Sequence, residues 1–243
     1  MGLILLTVIG PSRMDRMLII LAKREDAGAE WLADRWRNHD AVVVSPADFS
    51  EPGWTHYVGS HRPSRLHIGG SEVRQEDISG VLVRMASVSH EDLDHIVPSD
   101  RAYVAAEMTA FMLAWLSGLA CPVLNRPTAQ SLGGPAFPDE RWVHFASGIG
   151  IPIVPVRRGS FKTNATAMNE PGCELTVVGN ACFGDGDRTL MNRARRLAMM
   201  SGTDLLSVRF SGSKLVSASS WPDVCSPEFA DAVLSCFMGR ALC

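Results

Sequence analysis

The sequence predicts an α/β protein whose first part is a parallel sheet flanked by helices and whose last part is a second, shorter α/β piece. Three observations carry that prediction. "LIILA" at 18–22 and "AVVVS" at 41–45 are short, continuous apolar runs, the pattern of strands buried on both faces. Between them, the stretch 26–39 places Trp31, Leu32 and Trp36 at spacings that share one helix face. Strand, helix and strand joined by short connections make a βαβ unit, and such a unit sets its two strands parallel. Third, the stretch 157–174, "RRGSFKTNATAMNEPGCE", is rich in turn residues and has no periodicity, and strand and helix patterns resume after it.

The remaining elements follow in order. Residues 46–72, with their prolines, glycines, serines and histidines, read as an irregular excursion with weak hairpins. Gly80 to Met85 is the next expected strand, with Arg84 at its carboxyl end, the edge where parallel α/β sheets bind ligands. The longest expected helix runs from Ser99 to Ser117, with Tyr103, Met108, Phe111, Met112 and Trp115 as its apolar stripe and Gly118 as its C-cap. "CPVLN" at 121–125 supplies another strand, and Pro135 to Ser147 reads as a helix running into the apolar strand "GIGIPIVPV" at 148–156. Beyond the linker come a strand and turn at 175–185 and a helix at 187–202. A hairpin with a Ser-Gly-Ser tip follows at 204–220, then an N-capped helix at 226–242. The expected organisation is an α/β domain over 17–156, a linker over 157–174 and a second α/β region over 175–243.

Composition narrows the function classes. A chain of 243 residues with 46% hydrophobic and 20% charged residues can bury a sizeable core. A net charge of -3 argues against a nucleic-acid protein, because neutralising phosphates takes a concentrated basic surface. Arg188, Arg193, Arg195 and Arg196 do cluster, and on a helix such a run reads as a solvated face ahead of an anion site. The six cysteines are scattered without a CxxC pair, as expected of reduced thiols in the cytoplasm. The opening "MGLILLTVIG" lacks a basic flank and is too short to cross a bilayer, so neither export nor a membrane anchor is expected. Met17 offers a second start, which makes 1–16 an upstream extension with no fixed place in the fold.

Several blocks recur together in a known order. They are "GVLVRM" ending near Arg84, "DRAYVAAEMTAFMLAWLSGL" with Glu107, "PVLNRP" with Asn125 and Pro127, and "ASGIGIPIVPV", followed by "LTVVGNACFG" and "LAMMSGTDLLSVRF". In these blocks the chain resembles the ATP-grasp superfamily, specifically the RimK-type and microviridin-type peptide ligases. The resemblance implies a Rossmann-like, pre-ATP-grasp sheet over 17–156 and a truncated ATP-grasp-like C-terminal piece. In such ligases a small lobe that clamps ATP and supplies phosphate-binding lysines follows the IPxT-like strand, and here too few residues lie between "IPIVPV" and "TVVGN" to build it. The lysine the resemblance implies after the Asn-Pro turn is replaced by Glu140 and Arg141 in "PAFPDERWVHFA". The implied magnesium ligands, an Asp and a Glu-x-Asn motif on the last strand, meet "LVSASSWPDV", where Ser217 and Ser219 stand in and Asp223 lies beyond the strand.

Arg84, Glu107 and Asn125 are the residues expected to line a retained ligand or peptide pocket. Each also has a structural explanation: an Arg84–Glu107 pair between strand and helix, and an Asn125 that bonds its own turn. His56, His61 and His67 in one loop, and His90 and His95 around "EDLD", are imidazole and carboxylate mixtures of the kind first-row metals favour. Surface histidines and an acidic helix start explain both sets, and no metal is expected. "SGSK" at 211–214 reads as a hairpin tip, Cys121 as a buried, protonated thiol, and "GDGD" at 184–187 as a turn.

The expected function is therefore a cytoplasmic, catalytically degenerate ATP-grasp-like protein that binds a peptide or partner enzyme in a peptide-modification or natural-product pathway, with no cofactor. The alternative is an ATP- and magnesium-dependent carboxylate-amine ligase whose missing lobe comes from a partner subunit. A third reading is a small metalloenzyme using the histidine loop. A homodimer is expected on the ground that a lost lobe exposes apolar surface.

Overall fold

The structure is a computed structural model and describes residues 17–59, 64–155 and 172–239. Its first sheet contains β1 (Met17–Leu21), β2 (Ala41–Val44), β5 (Ile78–Val83) and β6 (Val123–Leu124) in the order β2-β1-β5-β6, all parallel. The βαβ unit is as the sequence implied, with α1 (Ala27–Arg35) linking β1 to β2. Asp26 caps α1 by accepting a hydrogen bond from the Ala29 amide at 3.0 Å. The excursion after β2 holds a one-turn helix α2 (Pro46–Phe49) and a hairpin of β3 (Arg65–Ile68) and β4 (Ser71–Arg74) that turns at Gly69 and Gly70.

A second, antiparallel sheet has the order β10-β9-β7-β8, built from β7 (Cys173–Val178), β8 (Ala181–Gly184), β9 (Leu205–Ser211) and β10 (Lys214–Ser219). Helices α4 (Asp139–Gly148) and α5 (Arg188–Ser201) cover one of its faces, burying Trp142, Ala146, Ala194 and Leu197 against Leu175, Val177, Val208 and Phe210. Along β7, β9 and β10 buried residues largely alternate with partly exposed ones, while Val178 and Leu205, at one end of the face away from α4 and α5, pack into the core of the first sheet.

The first sheet is covered on both faces. Helix α3 (Arg101–Gly118) packs Met112, Trp115 and Leu116 on one side, together with Phe49 and the hairpin's Leu66. On the other side α1 is joined by the last helix, α6 (Pro227–Phe237), which buries Phe229, Val233 and Phe237 against Leu18, Ile20 and Leu82. Phe237 meets Trp36 edge-on at 6.2 Å between ring centroids. A Cβ on Gly80 would overlap the Phe237 ring, so the missing side chain is what lets the helix approach β5. The same apolar cluster includes Val178 and Leu205 of the second sheet, so one core runs through both halves of the chain.

Several expectations need correction. The strand expected at Gly80–Met85 is Ile78–Val83, which puts Arg84 just past its end. Tyr103 is 70% exposed and no part of the stripe of α3, because it sits about 200° round the helix from the buried Ala105. Helix α4 starts at Asp139, later than Pro135, since a residue before a proline is pushed out of the helical region and Pro138 follows Phe137. The expected strand at 148–156 reduces, among the described residues, to a single bridge from Ile153 to Leu215, because Pro152 and Pro155 cannot donate to a ladder. Of the cysteines, Cys121, Cys173, Cys182 and Cys225 are free, but Cys236 is disulfide-bonded, which spacing along the sequence could not reveal. The extension 1–16 and most of the linker at 157–174 lie outside the described residues, and no described helix is long and apolar enough to cross a membrane.

Candidate functional site

In the first sheet the chain steps outward from β1 to β2 and then crosses back to β5 and β6 on the other side. That reversal places a ligand crevice beyond the carboxyl ends of β1 and β5. Here Arg84, Asp26 and Val224 occupy part of the crevice, packed around Gly28. Arg84 grips Asp26 with two parallel hydrogen bonds, Nε to Oδ2 at 2.7 Å and Nη2 to Oδ1 at 2.9 Å. The two side chains are only 20% and 17% exposed, and a Cβ on the neighbouring Gly28 would run into Val224, Arg84 and Asp26. Burial alone would push the Asp26 carboxyl up, but the hydrogen bonds from Arg84 and Ala29 and the guanidinium charge outweigh it, so its pKa lies below the ordinary value. Beside this pair a cavity of about 400 Å³ is lined by Lys23, Arg24, Ser45 and Asp92, and its Lys23 and Asp92 are themselves paired at 3.2 Å.

Asn125 is 2% exposed and joins the two sheets. Its Nδ2 donates to the carbonyls of Leu205 at 3.0 Å and Ser220 at 3.2 Å, and its Oδ1 accepts from the amides of Asp204 at 2.9 Å and Leu205 at 2.7 Å. Gly134, at φ 92°, passes so close that a Cβ there would overlap Asn125. The expected bond from Asn125 to its own turn is thus replaced by bonds to residues some 80 positions on. Glu107 lies on the exposed face of α3, and the expected Arg84–Glu107 pair gives way to Arg84–Asp26. Among the described residues no hydrogen bond or ion pair connects any two of Arg84, Glu107 and Asn125.

The histidine loop is placed in part. His61 lies outside the described residues, His56 Nδ1 is 2.9 Å from the Ser64 hydroxyl, and His67 pairs across the hairpin from Glu72. Among the described residues no three His, Cys, Asp or Glu side chains group to hold a metal ion. Burial raises the Cys121 thiol and pushes Cys182 up to about 11, so neither is an activated nucleophile.

The residue that sequence reasoning passed over is Arg209. On the face of the second sheet opposite to α4 and α5 the register aligns Glu174, Arg209 and Ser217 in one row and Thr176, Ser207 and Ser219 in the next. Residues directly opposite across strands share a face, so these six side chains form one polar surface. Ser207 donates to Glu174 Oε1 at 2.7 Å, and Ser219 Oγ accepts from the Trp221 amide at 3.1 Å. The Asp223 carboxylate is turned to the Cys225 amide at 3.0 Å. Arg141 of α4 lies over Phe137 and Phe145, 5.6 and 5.0 Å from the ring centroids.

No protein-family model and no curated protein sequence matches the chain. Solved structures do. The macrocyclase MdnC of Microcystis aeruginosa MRC, bound with its precursor peptide MdnA, superposes with a TM-score of 0.69 at 11% identity, over 92% of this chain and 99% of that one. A Chryseobacterium gregarium RiPP-associated ATP-grasp ligase, in complex with ADP and a leader and core peptide, gives 0.68 at 10% identity, over 93% and 97%. The ATP-grasp ligase PsnB, complexed with a minimal precursor, Mg and ADP, gives 0.61 at 12% identity, over 91% and 98%. The chain has the ATP-grasp-like fold.

That fold implies magnesium and ATP, and the polar face does not suit them. Magnesium is held by carboxylate and phosphate oxygens. Here the last strand offers the neutral hydroxyls of Ser217 and Ser219, and the one carboxylate among the six aligned residues, Glu174, stands beside Arg209 and accepts from Ser207.

Two expected outcomes follow. Asn125→Ala strands two amides and two carbonyls, and is expected to lower unfolding free energy by about 3 kcal/mol or more in urea denaturation; a loss under about 1 kcal/mol would mean the joint is held elsewhere. Asp26, with its folded pKa depressed, contributes stability that is fully present above its unfolded pKa of about 4 and is lost as pH falls through the folded value. Melting curves of Asp26→Asn against pH should accordingly show a flatter acid limb than those of the parent, and identical limbs would remove Asp26 as its source.

Proposed function

We propose that this chain is a catalytically degenerate ATP-grasp-like protein of the cytoplasm that binds a peptide, or a partner enzyme, in a peptide-modification or natural-product pathway. The observation that carries the reading is the row Glu174–Arg209–Ser217 on the polar sheet face. A guanidinium and hydroxyls can hold carboxylate or peptide groups by hydrogen bonding, whereas the magnesium ions that phosphoryl transfer needs call for several carboxylates, and this face has Glu174 alone among its six aligned residues. Support for the peptide comes from the company the fold keeps, since the neighbouring MdnC, RiPP-associated and PsnB structures were all solved with a precursor, leader or core peptide.

Binding needs no moving nucleotide clamp in this reading. The two sheets are joined through Asn125 and the shared core, so the surface offered to a peptide is preformed and the ordering cost falls on the peptide alone. Selection of linear peptides from a displayed library on the immobilised protein, followed by fluorescence anisotropy, tests this. The expected result is a peptide with a Kd in the micromolar range that magnesium and ATP leave unchanged. Release of ADP that depends on the selected peptide would instead establish a ligase.

A further inference from the structure

Among the described residues, at least half of the arginines outside α5 are matched by a carboxylate partner. Arg35, Arg37, Arg65, Arg74 and Arg84 each pair with a carboxylate. On α5 the pattern breaks. Residues 188–201 carry four arginines and no acidic residue, and none of the four forms an ion pair with a described residue. Arg195 sits near Cys182 of β8, with its Nε buried and unbonded. The other three, Arg188, Arg193 and Arg196, line an open groove of about 460 Å³ with Thr189, Asn192 and Gly150.

The groove is held in shape. Arg193 donates to the Ser213 carbonyl at 2.9 Å and Arg196 to the Ile149 carbonyl at 2.8 Å. These bonds fix two guanidinium groups against the β9–β10 turn and the end of α4 without neutralising them. Arg188, Asn192 and Arg196 follow one another at four-residue spacing, so they stand in one row along the helix. The nearest acids in the chain, Asp185 and Asp187, lie before the helix, and Asp187 is occupied in capping the Leu190 amide at 2.8 Å.

We infer that this groove docks an extended, carboxylate-bearing peptide segment. The row from Arg188 to Arg196 spans about 12 Å at the rise of an α-helix. An extended peptide advances about 3.3 Å per residue, so carboxylates four residues apart reach both ends of the row while the backbone between them meets Asn192. A single small anion could engage only one end. A nucleic acid needs a broader basic surface than three arginines on a chain of net charge -3. Arginine suits carboxylates in particular because its planar fork donates two parallel bonds. The inference rests on the peptide-binding reading above and supplies the chemistry of the peptide.

The test is fluorescence anisotropy with a labelled peptide of alternating alanine and glutamate, using the full chain as it stands. The expected result is saturable binding that weakens at least tenfold in Arg188→Gln/Arg196→Gln, weakens severalfold between about 50 and about 200 mM salt, and is absent for an alanine–glutamine peptide. Arg188→Gln alone removes a side chain with no described hydrogen bond or ion pair, so its own severalfold loss is read without risk to folding. Equal affinity for parent and double variant, or no binding to the parent, overturns the groove. A library-selected peptide measured on the same variants keeps the two readings apart: if it binds all of them equally, peptide binding stands and the groove falls. Tighter binding of a single-stranded RNA of matched charge, lost in the same variants, would overturn the choice of a peptide.

Discussion

The carboxamide of Asn125 spends both of its ends on backbone. Two carbonyls and two amides from the second sheet converge on it at 2.7–3.2 Å, in a place from which solvent is all but excluded. The Leu205 and Ser220 groups are buried and the Asp204 amide partly so, and only a side chain that donates and accepts at once can serve all four. Gly134 makes room for it, and the Ser220 hydroxyl adds a bond to the Pro135 carbonyl at 2.8 Å. The apolar counterpart of this joint is α6, which belongs by sequence to the second piece yet lies on the first sheet. Polar joint and shared core together leave little freedom between the halves.

That rigidity sets what the rest of the surface can do. At the first sheet's switch point, where a ligand would ordinarily enter, the Arg84–Asp26 pair and Val224 occupy part of the space. On the second sheet the face away from α4 and α5 is polar, and at its centre Arg209 stands between the carboxylate of Glu174 and the hydroxyl of Ser217. Positive charge recurs on the outer face of the same sheet's covering helix, in the α5 groove. The chain keeps the architecture of an ATP-grasp-like protein.

Much of this was legible in the sequence, for physical reasons that also mark the limits. Apolar periodicity reports which face of an element is buried, so β1, α1 and β2 could be read directly. It carries no information about partners far along the chain. Arg84 was read as facing Glu107 and Asn125 as bonding its own turn, whereas their partners stand 58 positions back and about 80 positions on. Arg209 was passed over because an arginine at an outward position of an alternating strand looks ordinary. Only the register, which sets it against Ser217, gives it meaning. The arginines of α5 were read as a solvated face because sequence shows their clustering but not the missing carboxylates or the carbonyls that hold Arg193 and Arg196.

The most direct measurement of the central claim is isothermal titration of the purified protein with ATP in excess magnesium, run beside a variant carrying Arg209→Asp, Ser217→Glu and Ser219→Asn. The account requires no saturable heat from the parent up to about millimolar nucleotide, a range in which binding energy would still reach roughly 4 kcal/mol. Magnesium-dependent binding to the parent at micromolar nucleotide, abolished or unchanged in the variant, would contradict it and return the chain to the active ligases.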